Sequence, residues 1–222
     1  PESYEQEARV RGISIHQLLS EKLSTYKAGA SGLLALDWFN GVRTPLMDFN
    51  LNGLIMGMNL LTKPEEIYLS LIEATAYGTR MIIEGFEEAG LEVKDITLSG
   101  GIPIKNEMLV QVYSDVCNRK IKVVDSTQSS ALGAAILGAA AAPERITGFK
   151  NANEAAKKLG KVKDKVWEPN QDNVEIYNEL YEEYKTLHTY FGTGINDVMK
   201  HLNNIRERRK KYITISIHTY RQ

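Results

Sequence analysis

The sequence predicts an α/β layered domain that carries a helical C-terminal extension. Three observations point there. The middle of the chain alternates a short apolar run, an amphipathic stretch, a second apolar run and a second helical stretch. A long amphipathic segment precedes that alternation. From Asn151 on, only helical patterns follow, over 151–160, 171–190 and 194–210.

The first helix is expected over 14–26, with Ile15, Leu18, Leu19 and Leu23 at helical spacing and Ser14 as N-cap. A strand-length apolar run follows at 33–36. Asn40-Gly41 and Thr44-Pro45 then punctuate a loop. A second strand is expected within 53–60 (GLIMGMNL). Thr62-Lys63-Pro64-Glu65 has the form of a capping box, with threonine at N-cap and Glu65 at N3. Proline at a helix start costs nothing, and Glu65 and Glu66 suit the positive end of the helix dipole. That helix runs to about Ala89, with Ile67, Leu71, Ala74, Ile82 and Phe86 forming its apolar stripe, and Gly90 ends it. Residues 95–99 form a strand, 105–118 a helix, 120–124 a strand and 129–142 an alanine- and glycine-rich helix closed by Pro143. Residues 212–222 alternate apolar and polar side chains, which leaves an edge strand or a disordered tail open.

Composition narrows the classes of function. The chain has 222 residues, of which 43% are hydrophobic and 25% charged, the profile of a water-soluble globular protein. A net charge of -1 gives no broad attraction to nucleic acid or to a membrane surface. The basic run Arg206–Lys211 is read as a solvated helix end. The one cysteine, Cys117, sits in an apolar helical stretch and is read as buried and structural, so a reducing cytoplasm fits best. The four histidines (His16, His188, His201, His218) form no metal-ligand spacing with it. No apolar window is long enough to span a bilayer, and no signal peptide is visible. The chain opens on proline with no initiating methionine, so a piece of a longer protein is expected.

Three features can carry chemistry. Ser99-Gly100-Gly101 stands at a strand end before a helix, where glycine lets a ligand approach the backbone. Ligands of open α/β sheets bind outside such strand ends. Asn106 follows in the first turn of the next helix, and its amide can both donate to and accept from a heterocycle edge. The plainer reading of Gly-Gly is a turn. The alanine-rich helix leaves little side-chain bulk and can pack closely on a neighbour. The loop 37–45 gathers Asp37, Trp38 and Arg43, or is a turn with a solvated arginine. Neither a P-loop nor a G-x-G-x-x-G pattern occurs.

Together these stretches resemble the FGGY family of carbohydrate kinases. Residues 99–123 (SGGIPIKNEMLVQVYSDVCNRKIKV) look like its adenosine motif, and 130–140 (SALGAAILGAA) like the helix that follows. Residues 53–73 resemble the family's C-terminal signature, with Leu71 a departure. Residues 41–45 (GVRTP) are similar to a pentulose-kinase motif. The resemblance covers residues 28–142 well and the helical end loosely.

It implies an incomplete actin-like, ribonuclease-H-like ATPase domain over 1–150 and a helical extension and tail over 151–222. It also implies ATP as phosphoryl donor with Mg2+, and Gly100, Gly101 and Asn106 against the adenosine. The acceptor is a ketopentose held by an N-terminal domain outside this sequence. No catalytic residue is expected here, because the family's catalytic aspartate and phosphate-binding turns lie upstream. Asp37, Asp48 and Asp125 are read as structural. By itself the chain is expected to be inactive, to bind nucleotide weakly and to expose a sheet edge. Other members of the family, acting on other pentuloses or on gluconate, stay open. So do a non-catalytic actin-like nucleotide-binding module and a homodimer.

Overall fold

A computed structural model describes the backbone of residues 1–219 and the side chains of residues 1–210. Helix α1 (Glu2–Arg11) was not expected from the sequence. It has no apolar stripe to betray it. Acidic residues in its first turn, basic ones in its last and the Glu5–Arg9 and Glu7–Arg11 pairs favour it locally. Helix α2 (Ile15–Lys22) starts as predicted, with the Ser14 hydroxyl accepting from Gln17 N–H at 3.1 Å. It stops short of the predicted Tyr26, and buries Leu18.

Strand β1 (Leu34–Leu36) pairs antiparallel with β2 (Leu54–Met56), Ala35 facing Ile55. The second strand is shorter than the predicted 53–60. Gly57 has φ 93, and a Cβ on it would lie 2.3 Å from the carbonyl oxygen of Gly32, so two backbones cross there and pairing ends.

Helix α3 (Pro64–Glu88) is the longest described element, and its cap is shifted one residue from the prediction. Lys63 is the N-cap and Pro64 the first helical residue. The Glu66 carboxylate, not that of Glu65, reaches back to accept from Lys63 N–H at 2.7 Å. The Thr62 hydroxyl instead closes the preceding turn, accepting from Asn59 N–H at 2.8 Å. Leu69, Ile72, Ala76 and Tyr77 of α3 form the main core with Leu36, Val112, Val116, Tyr177, Tyr181 and Tyr184.

Next come β3 (Ile96–Leu98), α4 (Gly101–Lys105), α5 (Glu107–Cys117), β4 (Ile121–Val123) and α6 (Ser129–Ala141). β3 and β4 pair in parallel, so the strand–helix–strand–helix order predicted for the middle of the chain is present. Close packing of α6 is not what is seen. No residue of α6 is buried, and an added Cβ on Gly133 or Gly138 would meet nothing within 4 Å. Its contacts are with α7 (Glu144–Thr147) and α8 (Ala152–Leu159).

The extension is not purely helical, as the sequence had suggested. Residues 161–167 run antiparallel along β4, with Ile121 and Trp167 exchanging backbone hydrogen bonds of 2.9 and 3.0 Å. This covers one edge of the small sheet, and Trp167 joins Val110, Ile121 and Val123 in a second core. Helix α9 (Gln171–Gly192) then lays Tyr177, Tyr181 and Tyr184 onto α3 and α5. Helix α10 (Val198–Thr219) occupies the stretch read as an edge strand or a disordered tail, so neither reading holds through Thr219; residues 220–222 lie outside the described residues. Near its start, Lys200 pairs with Asp48 at 3.0 Å and Asn203 donates to Asn50 O at 2.8 Å.

Candidate nucleotide-binding bend

β3 ends at Leu98, and the chain turns through Gly100 with φ 103 and ψ 178. That combination is open in practice to glycine alone. Gly101 then opens α4. A Cβ built on either glycine would meet nothing within 4 Å, so the bend faces open space and is not packed against protein.

Asn106 is not in the first turn of the long helix, as predicted; it is the N-cap of α5, set apart by the short α4. Its Oδ1 accepts from Leu109 N–H at 3.1 Å, and its Nδ2 donates to the Tyr68 hydroxyl at 3.2 Å. The amide therefore has two jobs inside the protein. It keeps a second lone pair on Oδ1 and a second N–H on Nδ2. These are the donor and acceptor that a purine edge requires. The sequence reading missed Tyr68, whose signal was its place in the 53–73 motif.

The remaining candidates fall as follows. The Asp48 carboxylate accepts from Asn50 N–H at 2.8 Å and pairs with Lys200, so it holds a turn. Asp125 is exposed on the strand-like pairing with residue 161. Asp37 is half-buried, and burial raises its pKa. Cys117 is buried, and burial pushes its thiol up to about 12, which leaves it an inert thiol. No group of three or more His, Cys, Asp or Glu among the described residues is arranged to hold a metal ion. No helix among the described residues is long and apolar enough to cross a membrane.

The C-terminal domain of the FGGY family of carbohydrate kinases matches residues 3–142. The chain belongs to this family. Among FGGY kinases, it is 50% identical over 200 residues to the ribulokinase of Halalkalibacterium halodurans, a match covering 90% of this chain and 36% of that protein. To the ribulokinase of Bacillus licheniformis it is 50% identical over 206 residues, covering 93% of this chain and 37% of that one. The chain thus spans little more than a third of these relatives. Solved structures agree on the fold. The gluconate kinase of Lactobacillus acidophilus gives a TM-score of 0.66 at 21% identity, covering 80% of this chain and 35% of that one. Plasmodium falciparum glycerol kinase with ADP gives 0.61 at 23%, covering 77% of this chain and 33% of that one. At such identities the likeness speaks for an actin-like kinase fold and nothing finer.

Proposed function

We propose that this chain is the ATP-binding C-terminal part of a ribulokinase, an enzyme that moves the γ-phosphoryl of Mg-ATP to L-ribulose and yields L-ribulose 5-phosphate. The observation that carries the reading is the 50% identity to ribulokinases along 90% of the chain. The bend supports it. Gly100 presents bare backbone to open space, and Asn106 stands beyond it with a donor and an acceptor to spare.

In this account the chain's own groups bind and orient the nucleotide. Gly100 and Gly101 lie against the adenosine, where a Cβ would stand in the way. Asn106 contacts the adenine, and its bonds to Leu109 and Tyr68 hold its plane fixed, so less freedom is lost on binding. ATP supplies the phosphoryl group. The base and the phosphate-binding donors that the reaction needs are assigned, as the family resemblance implies, to the part of the protein upstream of this stretch. The same reading treats 1–150 as the partial actin-like domain and 151–222 as its extension, and places the protein in the cytoplasm with ATP and a ketopentose as partners.

The test is a coupled ADP-release assay on the complete protein with L-ribulose, D-xylulose and D-gluconate. Turnover with L-ribulose above the other two is expected, and no turnover from the 222-residue chain alone. A complete protein that uses ATP on none of the three sugars refutes the proposal.

A further inference from the structure

A second feature lies apart from the bend. The loop 37–45, α3 and α9 enclose a cleft of about 310 Å³. That is at the small end of ligand pockets, roughly 300–1,000 Å³. Tyr68, which bonds Asn106, stands near the start of α3. The cleft residue Thr75 lies seven positions on, roughly 10 Å along the helix at 1.5 Å per residue. About two helical turns separate them along α3.

Its polar groups are underused. The Asp37 carboxylate lines the cleft, half-buried, with no donor from any other described residue. A carboxylate so placed is costly without a hydrogen-bond donor. Arg43 lines the same cleft, and its guanidinium makes no ion pair or hydrogen bond among the described residues. The two opposite charges border one space without pairing to each other. Thr75 and Thr79 add hydroxyls from α3, each donating to a backbone carbonyl and each also meeting the Tyr113 hydroxyl. Trp38, buried against His188, forms a wall.

Gly78 on α3 gives the cleft its depth. Glycine inside a helix costs about 0.5–1 kcal/mol relative to alanine. An added Cβ would come no nearer than 3.5 Å to the Tyr184 hydroxyl, an ordinary contact. Close packing therefore does not call for glycine at this position, whereas an open cleft does.

We propose that this cleft binds a small hydroxylated anion, a sugar bearing a phosphate or a carboxylate, with Arg43 holding the anionic group and Asp37 accepting from the hydroxyls. The planar guanidinium suits either oxyanion in a two-bond fork. The carboxylate selects against a bare anion, which it repels, and in favour of one with hydroxyls to donate. This inference does not depend on the kinase reading.

The 222-residue chain is titrated calorimetrically with D-ribose 5-phosphate, D-ribonate, D-ribose and inorganic phosphate. At least one of the first two binds with a Kd of about 1 mM or tighter, and whichever does identifies the anionic group. Ribose and inorganic phosphate bind at least about tenfold more weakly. Arg43→Ala and Asp37→Asn, one exposed and the other isosteric, each weaken binding by about tenfold or more, and Gly78→Leu abolishes it. Amide NMR shifts report the fold of each variant and place the ligand at 37–45. The proposal is overturned by no binding of either hydroxylated anion, by inorganic phosphate binding as tightly, or by undiminished binding in folded Arg43→Ala and Asp37→Asn.

Discussion

Replacing Gly100 by alanine forces an L side chain into φ 103, ψ 178. Holding a residue in so sparsely populated a region costs about 1–3 kcal/mol. Nothing steric adds to this, since the new Cβ would meet no atom within 4 Å. For a chain of this size each kcal/mol lowers the melting midpoint by roughly 2–4 °C, so Gly100→Ala is expected to melt roughly 2–12 °C below the parent. Gly101 is the internal control. It lies in the first turn of α4, outside the positive-φ region, with the same empty surroundings. Alanine there gains up to ~1 kcal/mol of helix propensity, so Gly101→Ala melts with or slightly above the parent. Calorimetric melts of the three proteins decide the matter. If Gly100→Ala melts with the parent, or the two variants fall together, the bend does not hold the conformation described.

Two further predictions concern α3 and α5. Burial pushes Glu73 up to about 7 from an ordinary 4.5, although Tyr177 donates to it at 3.1 Å and draws it partly back. The folded chain then holds that proton more tightly than the unfolded one. Stability from this group is full below about 4.5, falls as pH rises toward about 7 and levels off above, a loss of ~3 kcal/mol. Urea unfolding at pH 5 and pH 8 should show that Glu73→Gln removes this part of the difference; an unchanged difference contradicts the assignment. Asn106→Asp keeps the acceptor for Leu109 N–H and loses the donor to Tyr68. In the complete protein, on the proposed function, it should raise KM for ATP several-fold and leave KM for the sugar alone, whereas Asn106→Ala should in addition lose about 1 kcal/mol of cap in urea. An ATP KM unchanged in both removes Asn106 from the nucleotide site.

What was legible in the sequence was local. Ser14 caps α2 as read, because its partner is three residues away. The cap of α3 was misread by one residue because two overlapping patterns compete: Thr62 pairs backwards with Asn59, which leaves Lys63 and Glu66 to start the helix. Residues 161–167 were missed because their pairing with β4 lies about 40 residues away in sequence and has no period of its own over so short a run. The bend at Gly100 could be read because only glycine suits it. The partner that fixes Asn106, Tyr68, could not, since it is 38 residues away on another helix. The charged pair Asp37 and Arg43 was visible in one loop. The glycine and threonines that make a cleft of it come from α3, where they read as ordinary helix.

The central claim is that the Gly100–Asn106 bend forms one wall of a nucleotide site. Amide NMR on the labelled 222-residue chain, titrated with ADP, tests it most directly. The account predicts weak, saturable binding in which the largest shifts fall on Gly100, Gly101 and the Asn106 side-chain amide. Saturable shifts centred elsewhere, with those three silent, would contradict it.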